Sequence, residues 1–386
     1  MPAREPPSRP LFGARPIDFG YSWCSWRAPS SLRKRAADLA NKTSLVSNRA
    51  FFIAFLLLLV LLLVAALLSL GVGAVPVKPG NVLEVLLGRY DPKVDPTEAA
   101  IIWDIRLPRI LLGILIGGGL AVSGAAFQGL FRNPLADPFV MGASGGAALG
   151  ATIAITLGSS WGAAGFSPVP LAAFVGSLLA VSVVYGIAHA GGTAPAVALL
   201  LAGAALSTLL SALVTLLMLM SDQSFHQIYG WLMGGFSGRS WPHLKASWPY
   251  LVIGPAALWL TARPLDALAC GEETAQSLGL SVVRARSVIV LMATLTTAAT
   301  VAAGGIIGFV GLIAPHIARL LFGSSHSRLI PASMLLGGML MLLADGVART
   351  ALAPIEIPVG IVTSLLGGPF FLYLLKSRQR NLGGRG

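Results

Sequence analysis

From Phe51 to the C-terminal end the chain alternates between apolar runs of about twenty residues and short turns rich in Gly, Pro, Ser or Asn. An apolar run of that length crosses a bilayer as a helix, because only a helix satisfies its own backbone polar groups in lipid. The pattern predicts spans at about 51–70, 107–131, 139–158, 169–189, 196–220, 244–262, 287–305, 307–322, 329–350 and 357–375. The fold class is therefore all-α, a polytopic membrane protein with about ten transmembrane helices. Between Asp137 and Asp222 no Asp, Glu, Lys or Arg occurs, so several spans must be joined there by uncharged turns. Residues 51–70 are too long an apolar run, behind too long a leading segment, for a cleaved signal peptide.

Three polar stretches interrupt the pattern. Residues 72–105, with Lys78, Asp91, Lys93, Asp95 and Asp104, read as a connection on one side of the membrane. Residues 221–243 read as a short helix lying at the interface through Trp231 and Trp241. Residues 263–286 form the longest polar stretch of the second half, the natural place for a partner to dock.

Composition agrees: 55% of residues are hydrophobic and 11% charged. The net charge of +12 would suit nucleic acid, but the basic residues flank spans instead of forming a folded basic domain. With ten spans, nineteen of the 27 Lys and Arg fall on the side of the two termini, which marks that side as cytoplasmic. Residues 1–48 read as a disordered cytoplasmic extension, or a surface anchor through Trp23, Trp26 and the bases near Arg33. Residues 49–377 are the membrane domain and 378–386 a cytoplasmic tail. Cys24 and Cys270 lack partners at metal-ligand spacing, and no disulfide is expected on that side.

The most informative stretch is Arg106 to Gly150. Its R-L-P-R opens a Gly-rich helix ending in Q-G-L-F-R-N-P-L-A-D-P, followed by G-A-S-G-G-A. Gly113, Gly117, Ala121 and Ala125 recur every fourth residue, a small face that lets another helix approach closely. This ordered motif resembles the FecCD family, permease subunits of ABC importers for ferric siderophores, haem and cobalamin, and the likeness extends over about 50–377. It implies a homodimer in a bacterial inner membrane, two ATP-binding cassette subunits, a substrate-binding protein and a metal-chelate cargo. A ferric siderophore is the first expectation, with cobalamin and haem as alternatives. ATP would be used by the partner subunit, and no cofactor is expected on this chain: neither Lys42-Thr43 nor Lys376-Ser377 follows the glycine pattern of a phosphate-binding loop.

The resemblance also assigns residues. Arg106, Arg109 and Arg349 match positions that receive acidic residues of the binding protein. Glu273, Thr274, Ala275 and Gly279, with Glu272 beside them, match the E-x-A-x-x-x-G loop that docks the ATPase. Asn133 and Leu135 match a cytoplasmic constriction, whereas Thr193, at the second gate, has no hydroxyl partner and stays unassigned. No catalytic residue and no metal ligand is expected.

Other residues stay open on sequence grounds. Asp345, one helical turn before Arg349, suits a local ion pair, with a proton relay as the alternative. His316 suits helix packing better than ligation. Ser207, Ser211, Thr215, Met218 and Met220 suit either a pathway or a helix interface. A secondary transporter would need more buried acids, and a membrane enzyme would need paired catalytic groups.

Overall fold

The computed structural model describes residues 48–88, 96–158, 167–189 and 196–383. The N-terminal extension with Cys24, the Gly191 to Pro195 turn with Thr193, and Asp91, Lys93 and Asp95 lie outside the described residues.

The elements are all helical. In order they are α1 (Asn48–Gly71), α2 (Pro79–Leu86), α3 (Pro96–Leu130), α4 (Ala143–Thr156), α5 (Val169–His189) and α6 (Ala196–Leu219). Then follow α7 (Phe225–Leu232), α8 (Trp241–Leu260), α9 (Ala262–Ala269), α10 (Glu272–Ser277), α11 (Val282–Gly304), α12 (Val310–Phe322), α13 (His326–Thr350) and α14 (Val359–Gly383). Among the described residues six of them are long and apolar enough to cross a membrane, α8 together with α9, bent by 50°, passes the same test as a pair, and there are three shorter apolar helices, Ala143–Thr156, Val310–Phe322 and Val359–Leu374. The ten predicted segments are all present.

Their limits differ from the prediction where the backbone turns. The third helix starts at Ala143, not 139, because Pro134, Pro138 and a left-handed Gly142 (φ 81°) hold the intervening residues in successive turns. The eighth starts at Val310 after left-handed Gly305 and Phe309 (φ 75° and 67°) break the chain from α11. The expected connection 72–105 contains α2 and the first turns of α3. Pro96 begins α3, and a π-helical stretch, Ile101–Arg106, carries it without a gap into Leu107. The last helix continues past the expected tail boundary to Gly383.

α3 is the pillar of the fold, with nearly every residue from Pro108 to Leu130 buried among α8, α11, α12 and α13. Its glycines permit this. A Cβ on Gly117 would lie 2.3 Å from the Gly337 carbonyl oxygen of α13, and one on Gly124 would lie 1.9 Å from that of Gly311 in α12. Gly146 and Gly176 join α4 to α5 in the same way, at 2.2 Å. In lipid there is no water to expel between helices, so such close backbone packing supplies the attraction. The Gly117 and Ala121 face thus meets α13 as its four-residue spacing suggested.

Some hydroxyls inside the bundle are satisfied by backbone carbonyls, whereas those of Thr152, Ser177, Thr294 and Ser333 are buried without a hydrogen-bond partner. Thr296 and Thr297 of α11 donate to the carbonyls of Met292 and Ala293 at 2.7 and 2.8 Å, and Ser123 of α3 donates to Ala293 at 3.3 Å. α1 leaves most of its leucines exposed and α6 half of its own, the mark of faces that lipid or another chain must cover.

Candidate functional site

The charged residues of the bundle gather at its two ends. At one end α1 finishes at Gly71, leaving last-turn carbonyls without helical partners. Arginines from two other helices fill them. Arg106 donates through Nη1 to Leu70 O (2.6 Å) and through Nη2 to Val75 O. Arg349 donates to Val72 O and Ser69 Oγ, both at 2.7 Å. Gly73 lacks the side chain that would collide with Arg106, since a Cβ there would lie 2.7 Å from Nη2.

Beside Arg349, on the same helix, sits Asp345. It takes Arg109 Nη2 on Oδ1 and Arg349 Nε on Oδ2, each at 2.9 Å. Arg109 also points Nη1 at both oxygens of Glu356, 2.9 Å from each. Ser237, from the loop before α8, hydrogen-bonds the same carboxylate. Burial pushes the Glu356 carboxyl up, but the Ser237 hydroxyl and the charges of Arg109 and Arg349 outweigh it and hold the group below the usual glutamate range. The result is an ion-paired network of Arg109, Arg349, Asp345 and Glu356 joining α3, α13 and the segment before α14, with Arg106 beside it on the carbonyls at the end of α1.

The three arginines singled out in the sequence are therefore brought together, but none is a free surface charge. Arg106, Arg109 and Arg349 are 5%, 4% and 4% exposed, and Asp345 2%. Only the Glu356 side chain reaches the outside, at 37%. Asp345 makes the expected pair with Arg349 and a second with Arg109, so both its oxygens face a guanidinium. Glu356, Ser237 and Ser69 were not singled out in the sequence. A signal did exist for Glu356: it and Asp345 are the only acids after Glu273.

The opposite end carries α9, α10 and the turn after α3. α10 has Glu272 and Glu273 in its first turn, where carboxylates suit the positive end of the helix. It stops at Gly279 (φ 82°), where the amides of Gly279 and Leu280 bond the carbonyls of Gln276 and Ala275, the double bond of a Schellman cap. Ala275 is buried against its neighbours, while Glu273, Gln276, Leu278 and Gly279 are exposed. Glu272 pairs with Arg286 at the start of α11. The residues of the expected docking loop thus form one short, capped helix with a solvent face.

α9 fixes that helix to the bundle. Asp266 accepts the amide of His326 (2.8 Å), its Nδ1 (2.6 Å) and the Ser325 hydroxyl (3.0 Å), so it holds the N-terminus of α13. α13 accordingly runs from Asp266 at this end to Asp345 and Arg349 near the other.

α3 ends here with Arg132 in the left-handed region (φ 50°), the amides of Arg132 and Asn133 bonding the carbonyls of Gly129 and Gln128. Asn133 Oδ1 accepts the Leu135 amide at 2.9 Å, and the Leu135 side chain is 45% exposed. Asp137 closes the next turn by accepting the Phe139 amide at 2.8 Å, and burial pushes its carboxyl up to about 6. His316 packs edge-on against Phe370, centroids 6.0 Å apart, and on the exposed face of α6 Thr215 donates to Ser211 O at 2.9 Å.

Comparison with known proteins gives a consistent result. The FecCD transport family matches residues 61–377. The cobalamin import system permease protein BtuC of Halobacterium salinarum is 47% identical over 287 residues, which cover 74% of this chain and 76% of that protein. The Fe(3+)-citrate import system permease protein YfmE of Bacillus subtilis is 38% identical over 331 residues, 85% of this chain and 96% of that protein. The hemin transport system permease protein HmuU of Yersinia pestis is 41% identical over 293 residues, 73% and 85% of the two chains. A solved structure described as an inward-facing conformation of a metal-chelate type ABC transporter superposes with a TM-score of 0.73 at 34% identity, covering 84% of this chain and 99% of that one. With the family match spanning most of its length and a bundle of the same fold, this multi-pass membrane protein belongs to the FecCD transport family.

Proposed function

We propose that the chain is the membrane subunit through which a metal chelate enters the cell, paired with a second copy of itself and driven by two separate ATPase subunits. The observation that carries this reading is the division of the bundle into two charged ends. One is a capped, solvent-facing helix, α10, and the other a buried arginine–carboxylate cluster, with α13 running between them. The reading takes α10, with Glu272, Glu273, Thr274, Ala275 and Gly279, as the seat of an ATPase in the cytoplasm. A short rigid helix anchored through α9 and Asp266 passes on a rigid-body push, and ATP binding and hydrolysis then alternate the opening of the pathway.

At the external end Arg106, Arg109 and Arg349 are the counter-charges for acids on a substrate-binding protein, and attraction between them steers docking. Asn133 and Leu135, at the turn after α3, form the cytoplasmic constriction. The chain itself makes and breaks no bond, binds no cofactor, and lies in the cytoplasmic membrane with both termini inside. Because Asp345 is neutralised by two arginines, a proton-relay role for it has no support.

The cargo is a ferric siderophore or a related metal chelate. Relatives named for cobalamin, ferric citrate and hemin support the class, and the choice within it rests with experiment. The test is competition: vesicles carrying the complete transporter take up radioactive iron as ferric siderophore while unlabelled cobalamin or haem is added in excess. A ferric siderophore carrier resists both competitors. Displacement by cobalamin or haem would move the assignment to that cargo.

A further inference from the structure

Arg109 is the member of the external cluster that bridges both acids, and the two acids are not equivalent. Asp345 is buried in the middle of a helical turn and locked by two guanidinium groups. Glu356 sits in the connection 351–358 between α13 and α14, beside the exposed Leu352 and Ile355, and its carboxylate is held by Arg109 and Ser237. Ser237 belongs to a different connection, between α7 and α8. Glu356 therefore ties two surface loops together across the end of the bundle while covering Arg109 from outside.

An incoming carboxylate cannot reach Arg109 without moving Glu356, since the arginine side chain is 5% exposed and both oxygens of Glu356 already face Nη1. Exchanging one carboxylate for another on the same guanidinium leaves its charge compensated throughout, so the exchange avoids the heavy penalty of a bare buried charge. It also releases Ser237 and with it the link between the two loops.

We propose that Glu356 is an internal stand-in for a carboxylate of the substrate-binding protein, occupying Arg109 until docking displaces it and frees the loops at the external mouth. The proposal rests on the reading of Arg109 as a docking residue and adds its regulation: the idle transporter is closed by its own acid, and the partner's acid is the key.

The experiment uses the complete permease–ATPase complex in lipid nanodiscs, with the substrate-binding protein that supports uptake as the titrated probe, at low and at moderate salt. Glu356→Gln removes the competing charge and should tighten binding about three- to fivefold, the worth of one part-exposed ion pair. Ser237→Ala loosens the stand-in without removing it and should tighten binding by about two- to threefold. Should Glu356→Gln not assemble, the Ser237→Ala result decides. Unchanged or weaker binding in the assembled variants would overturn the proposal. Arg109→Ala separates the layers: if it binds as well as wild type, the docking reading itself fails, whereas weakened binding there with no gain in Glu356→Gln removes the stand-in alone.

Discussion

Removal of Asp345 should be the most damaging single change in the buried arginine–carboxylate cluster. Asp345→Ala leaves Arg109 and Arg349, 4% exposed each, facing one another with no acid between them. Arg349 would keep the Val72 carbonyl and the Ser69 hydroxyl, and Arg109 would keep Glu356, so hydrogen bonds survive while the compensating charge does not. Breaking a buried pair from one side costs about 3–5 kcal/mol. Arg109→Ala should cost less, about 2–3 kcal/mol, because Asp345 retains the 2.9 Å contact with Arg349 and Glu356 turns to solvent. Glu356→Ala should cost about 1 kcal/mol or less, since its side chain is 37% exposed and a pair so placed is screened. The assay is reversible unfolding of the purified protein in mixed micelles, followed by helix content. A ranking with Glu356→Ala as costly as Asp345→Ala would mean that exposure does not govern the strength of these pairs.

Other expectations follow from particular contacts. Gly117→Ala puts a methyl group 2.3 Å from the Gly337 carbonyl and should cost about 2–4 kcal/mol by separating α3 from α13, whereas Gly186→Ala, with open space beside it, should be neutral or stabilising by up to about 1 kcal/mol in the same unfolding assay. Asp137→Asn keeps the turn acceptor and removes a charge that burial disfavours. Because the folded-state value lies at about 6 against an ordinary 3.8, the wild-type contribution is full below about pH 4 and is lost as pH rises through about 6. The variant should therefore gain about 2–3 kcal/mol at pH 7.5 and little near pH 4, measured as stability against pH. Gly279→Val forces a branched side chain into a left-handed position (φ 82°), so α10 loses its cap; ATPase activity should become insensitive to the binding protein while the bundle stays folded.

The sequence was most legible where one physical requirement dominates. Spanning lipid demands long uncharged helices, so the ten segments could be read from composition and length, and the Gly117 face followed from four-residue spacing. Helix starts were less legible where Pro134, Pro138, Gly142, Gly305 and Phe309 redirect the backbone, since a run such as 139–142 is apolar whether helical or turned. The site residues divided in the same way. The arginines stand out as rare charges at span ends, but their burial does not, because for Arg106 and Arg349 it depends on carbonyls at the end of α1 more than thirty residues away and for Arg109 on acids more than two hundred residues away. Glu356 escaped notice because nothing local marks its partner: Arg109 is 247 residues earlier in the chain. Asp266 and His326, sixty residues apart, were hidden for the same reason.

The proposed function requires inward movement of a metal chelate coupled to an ATPase on one side of the membrane and a binding protein on the other. The most direct measurement reconstitutes the permease with its ATPase in liposomes, supplies the loaded binding protein on the external side, and follows accumulation of labelled chelate. Transport that requires ATP at the α10 side, requires the binding protein, and stops with Gly279→Val is the expected result. Accumulation driven by an ion gradient with neither ATPase nor binding protein present would contradict the account.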